Sequence, residues 1–108
     1  MAVQPRSPNF QIRDEIIARL RVLRPVLESE GVSQIFLFGS IARGDNDNSS
    51  DLDPIVSFDA SHRADIFDLS AMKTLLAAQF DRPIDLGTRD SLHSEWHKRI
   101  IDELVPVF

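Results

Sequence analysis

Gln34-Ile35-Phe36-Leu37-Phe38-Gly39-Ser40-Ile41-Ala42-Arg43-Gly44-Asp45 leads through a polar loop into Ser50-Asp51-Leu52-Asp53. Ile35 to Phe38 form an unbroken apolar run stopped by glycine, which predicts a buried central strand. Residues 39 to 44 read as a turn with room for one helical turn. Asp45 to Ser50 is an exposed loop. Leu52 to Phe58 is a second strand blemished by Pro54. The connection is too short for a crossover helix, so the two strands should run antiparallel.

Outward from this pair the pattern turns helical. Upstream, Ile12, Ile16, Ile17, Leu20 and Leu23 recur at helical spacing. Pro25 interrupts them, makes Arg24 a joint and can open a second short helix, which Gly31 ends. Downstream, Ile66, Leu69, Met72, Leu76 and Phe80 predict an amphipathic helix. Arg82 to Gly87 is a third strand, at or near an edge because of Pro83. Leu92, Trp96 and Ile100 mark a last helix capped by Asp90 or Ser91. Val105 to Phe108 is extended. The expected fold is α/β (α+β): a small mixed sheet flanked by helices. It forms one domain over 11–108, behind a loose arm at 1–10.

The chain has 108 residues, 43% of them hydrophobic and 27% charged, an ordinary globular balance. Twelve basic residues stand against 17 acidic ones, a formal charge of −5. Such a field argues against direct nucleic-acid binding and against anionic membranes. Arg13, Arg19, Arg21 and Arg24 read as a solvated helix face. Without cysteine there is no disulfide, no zinc–thiolate site and no thiol nucleophile, in keeping with a reducing cytoplasm. The first residues lack a secretion signal's apolar core, and no apolar run can cross a bilayer.

Asp51 and Asp53 carry the chemistry. Residues two apart on a strand share a face, so both carboxylates project together. Their repulsion is relieved by magnesium, which takes a few carboxylates plus substrate phosphates. Two such ions can activate an attacking oxygen and stabilise a leaving one. Gly39 lets the backbone approach a phosphate, the Ser40 hydroxyl adds a donor, and the Arg43 fork suits a phosphate oxygen. Asp85, between Ile84 and Leu86, is the best third carboxylate. Its alternative is an acid on an exposed strand face.

Gly39-Ser40, then Asp51-Leu52-Asp53, resembles the signature of the nucleotidyltransferase superfamily that includes DNA polymerase beta. Leu37 to Asp45 with Ser50 to Asp53 resembles its minimal bacterial and archaeal members over nearly the whole chain. The resemblance implies the polymerase-beta-like palm fold. It implies Asp51, Asp53 and Asp85 as catalytic metal ligands, and Gly39 and Ser40 as nucleotide contacts, with Arg43 matching the motif. It implies Mg2+, two ions, with ATP as substrate. The resemblance also implies a partner: genes of minimal members often come in pairs with those of helical HEPN-domain proteins, as toxin and antitoxin, and the transferase can neutralise the HEPN ribonuclease by attaching AMP to one of its tyrosines. Pro54 departs from the family's aliphatic residue, removes one backbone donor and is expected to bend the strand or place it on an edge.

The chain leaves no separate lobe for an acceptor, so a partner protein or a second copy must supply that surface. The reading is an enzyme that transfers a nucleoside monophosphate, AMP from ATP, to a hydroxyl on such a partner. Its alternatives are a binding antitoxin without chemistry and a transferase for a small molecule such as an antibiotic. Other candidates are weaker. His93 and His97 lie four apart but lack a metalloprotease glutamate, and His62 sits in a polar loop. Ser40 lacks a hydrolase elbow. Trp96 reads as core, and Val105, Val107 and Phe108 as core or interface.

Overall fold

The glycine-terminated apolar run is the middle of the protein. In the computed structural model, which describes residues 9–47, 50–61, 65–91 and 100–108, it forms β1 (Val32–Phe38). A left-handed Gly39 turns it directly into the single helical turn α3 (Gly39–Arg43), and left-handed Gly44 ends that turn. β2 (Asp53–Phe58) returns antiparallel to β1, with Phe38 opposite Asp53 and Phe36 opposite Ile55.

The helices follow the sequence pattern. α1 (Gln11–Val22) and α2 (Arg24–Ser29) meet at Leu23, where Pro25 occupies the first turn of α2. α4 (Ile66–Gln79) begins with a reciprocal capping box between Asp65 and Asp68, which satisfies backbone donors at the helix start. β3 (Gly87–Thr88) lies parallel to β2, and β4 (Val105–Pro106) lies antiparallel to β1. The sheet order is β3-β2-β1-β4, a mixed four-stranded sheet. Residues 100–103 are helical. Residues 92–99, with His93, Trp96 and His97, lie outside the described residues, as do His62, Asn48, Ser49 and residues 1–8.

One face of the sheet carries the core. Ile35, Leu37, Leu52 and Val56 pack with Leu20 and Leu27 of α1 and α2 and with Met72 and Leu76 of α4. All but Met72, at 1%, have no exposure. Phe36 and Phe38 point the other way and remain half-buried. β1 is thus fully covered on one face only, because a continuous apolar run does not report which face lacks a cover.

Four further expectations change. The third strand is shorter than Arg82–Gly87: Ile84 makes only an isolated bridge to Leu52 before β3. Pro54 stands in an interior strand, fully buried opposite Leu37, not at an edge. Ile66 is 75% exposed, since the α4 stripe starts to bury only beyond the first turn. The arginines of the first two helices are also more than a solvated face. Arg19 donates to the Gln79 carbonyl and covers the Phe80 ring, and Arg21 donates to the Val107 carbonyl at 2.9 Å. Arg24 covers Phe108 while pairing with Glu28. Their stems and forks fasten distant segments onto the helices. Asn9 donates its N–H to the Gly44 carbonyl at 2.9 Å. Among the described residues no helix is long and apolar enough to cross a membrane.

Candidate functional site

The acidic residues meet where β2 and the segment before β3 run side by side. Leu52 N–H donates to the Pro83 carbonyl at 2.9 Å, and Asp85 N–H donates to the Leu52 carbonyl at 2.8 Å. The ladder resumes, in unchanged register, at Ile55 with Gly87. This register sets Asp53 beside Asp85. Strand N–H groups alternate sides, so the nitrogen of Pro54 faces β3 and has no hydrogen to give. The two strands therefore lose one rung at the level of Asp85.

Asp53 is half-buried, and its carboxyl hydrogen-bonds to that of Asp85. Burial first, then the charges of Asp85 and Asp51, push its pKa from 3.8 to about 6, against a smaller lowering by Arg43. Asp51 and Asp85 are exposed. Gly39 seals the other flank, for a Cβ at its position would fall inside the Asp53 carboxylate. Its φ of +82° also disfavours any side chain. One glycine thus serves two needs, the sharp exit from β1 and the seat of Asp53.

Ser40 lies half-buried in the first turn of α3, with its carbonyl accepting the Asp45 N–H at 3.1 Å. Arg43 is exposed and pairs with Asp45 at 3.1 Å. Its charge is felt at Asp53. Arg82 donates to the Ser50 carbonyl at 3.1 Å and so holds the start of the acidic segment. Arg82 gave no signal in the sequence, since its partner is a backbone oxygen across the fold.

The donor set suits a hard divalent cation: only oxygen ligands, one of them buried and crowded enough to hold its proton abnormally tightly. As oriented, no three His, Cys, Asp or Glu side chains among the described residues gather around one point. Asp53 and Asp85 touch, and the exposed Asp51 and Asp85 carboxylates can turn toward a shared ion by ordinary rotamer changes. Beside them a cavity of about 190 Å³ opens on the half-covered face of the sheet, lined by Phe38, Asp53, Ile55, Asp85, Gly87 and Ile100.

Comparisons with known proteins identify the family. Residues 20–106 match the sequence model of the family described as Nucleotidyltransferase domain. A protein of Methanocaldococcus jannaschii, named as a candidate protein adenylyltransferase, is 32% identical over 87 residues, 81% of this chain and 91% of its own length. A solved minimal nucleotidyltransferase superposes with a TM-score of 0.72 at 24% identity, covering 86% of this chain and 93% of that one. An MNT antitoxin structure, solved in complex with a tri-AMPylated Shewanella oneidensis HEPN toxin, gives 0.61 at 17% identity, covering 87% and 71%. The two structural likenesses concern the fold, and the family match covers most of the chain. This protein belongs to the nucleotidyltransferase domain family.

Proposed function

We propose that the chain transfers AMP from ATP to a hydroxyl on a partner protein, a HEPN ribonuclease toxin, and acts as its antitoxin. The contact between Asp53 and Asp85, with Asp51 beside them and Gly39 beneath, carries this reading. Clustered like charge is a burden that a pure binding surface has no need to keep, because it raises the cost of folding.

In this reading Asp51 and Asp53 would hold magnesium, and Asp85 would complete the set as ligand or base. Bound magnesium would neutralise the triphosphate and lower the pKa of the acceptor hydroxyl. Gly39 admits a phosphate close to the backbone at the exit of β1, and the Ser40 hydroxyl donates to it. Arg43 offers its remaining N–H groups to a phosphate oxygen while Asp45 holds its Nε. Rate enhancement comes from alignment of donor and acceptor and from charge neutralisation. The relative's name supports AMP as the transferred group, and the HEPN complex on the same fold supports the kind of partner. A reducing cytoplasm is the compartment that fits a chain without cysteine.

The test is transfer of α-labelled AMP from ATP and magnesium to a co-expressed HEPN protein. Label on the partner that disappears in Asp51→Asn and Asp53→Asn supports the enzyme. Full neutralisation of the toxin by both variants, with no label on any protein, supports a binding antitoxin instead.

A further inference from the structure

A second cavity, of about 140 Å³, lies between α1 and the turn that leaves α4 and shares no residue with the one beside the carboxylates. Ile12 and Ile16 of α1 and Phe80 give it apolar walls, and Glu15, Arg19, Asp81 and Arg82 line the rest. Both arginines are tied down through part of the fork. Arg19 donates to the Gln79 carbonyl, one of those a helix end leaves without an intrahelical donor, and covers the Phe80 ring at 4.5 Å. Arg82 donates to the Ser50 carbonyl at 3.1 Å. A guanidinium has five N–H donors, so each keeps donors for a further acceptor. The two carboxylates are uncommitted. Glu15 stands four residues before Arg19, the spacing and order at which a helix ordinarily forms an ion pair. Arg19 turns to the end of α4 instead. Among the described residues neither Glu15 nor Asp81 enters an ion pair, and both are exposed.

This lining selects by charge. A lone anion would face Glu15 and Asp81, and a lone cation would face Arg19 and Arg82. A wholly apolar guest would strip water from four charges and return nothing. A guest with one charge of each sign on an apolar body meets every part of the lining. The volume is close to the roughly 150 Å³ that holds a benzene ring in an apolar cavity. A leucine or phenylalanine side chain is of that size, with its charged end left at the rim. Arg82 also connects the cavity to the acidic segment. The Ser50 carbonyl that it holds shares a peptide plane with the nitrogen of Asp51. A carboxylate drawing on Arg82 therefore acts on the peptide that leads into Asp51.

We propose that this cavity binds a free α-amino acid with an aliphatic or aromatic side chain, its carboxylate on Arg19 and Arg82 and its ammonium on Glu15 and Asp81. The bound amino acid is felt at Ser50 and Asp51 through Arg82. The proposal is independent of the transferase reading, since none of the candidate catalytic residues lines this cavity.

The experiment follows the backbone amide resonances of the full chain, without metal or nucleotide, in separate titrations with L-leucine, 4-methylpentanoate and 3-methylbutylamine. The last two carry the same apolar body with only one of the two charges. L-leucine should give saturable shifts at Ile16, Phe80 and Arg82, and also at Ser50 and Asp51, with an apparent Kd at least tenfold lower than that of either half-molecule. Glu15→Gln should weaken leucine at least threefold and leave the melting temperature within a few degrees, because Glu15 has no ion pair to lose. Arg82→Lys keeps the charge and gives up the fork. In it the shifts at Ser50 and Asp51 should disappear while those at Ile16 remain. Equal affinity for 4-methylpentanoate makes the cavity an anion site and overturns the proposal, and equal affinity for the amine overturns it likewise. So do shifts that fail to saturate up to the solubility of leucine, or leucine binding unchanged in Glu15→Gln. Shifts at Ser50 and Asp51 that survive in Arg82→Lys overturn the connection through Arg82.

Discussion

At the scale of single residues the site is a balance of repulsions. Asp53 binds its proton more tightly when folded, at about 6, than at its ordinary 3.8. The stability it contributes is therefore complete below pH 3.8 and is lost as pH rises through 6. In EDTA, Asp53→Asn should melt above wild type at pH 7.5, and the difference should shrink toward pH 4. Thermal denaturation across that range checks it. Cation binding must displace the same proton, so apparent magnesium affinity should fall about tenfold per pH unit below 6, as titration calorimetry would show. Gly39→Ala should cost at least about 1–2 kcal/mol in urea unfolding for its left-handed backbone alone, with transfer abolished as Asp53 is displaced. The aspartate spacing and the glycine were legible in the sequence because each is a local rule. The touch of Asp53 on Asp85 was not, since it depends on which rung of β2 faces which rung of the next strand.

At the scale of elements, periodicity and stop signals located α1, α2, α4 and the β1–β2 pair, because burial on one face imposes the period directly. They failed where neighbours decide. Pro54 reads as an edge residue, yet the fold uses it inside the sheet by letting its missing donor fall where β3 starts late. Pro54→Val should restore that rung, and hydrogen exchange should find the amide gained at this position protected. Fast exchange there would show that the strands part at this level for another reason. The arginines likewise look solvated in sequence because their acceptors lie on other elements. Leu76, fully buried on α4, should cost about 2–5 kcal/mol when cut to alanine, measured by urea unfolding.

At the scale of the whole molecule, one sheet face is spent on stability and the other is half-open beside the acids. ATP analogue with magnesium should therefore raise the melting temperature, by about 2.7 kcal/mol of stabilisation at a hundredfold excess over its dissociation constant. Asp51→Asn should remove most of that gain. The position of β4 has its own consequence. Val107 donates to Ile35 at 2.9 Å, and Val105 and Pro106 pair with β1 from the far end of the sequence. While the polypeptide emerges from the ribosome, the α1-to-β2 portion can collapse early, yet the outer rim of β1 stays unzipped until those residues arrive. Such a distant closure slows folding and leaves a sticky rim exposed during synthesis. Nascent chains halted before residue 105 should then be the ones that chaperones bind and that aggregate when chaperones are scarce.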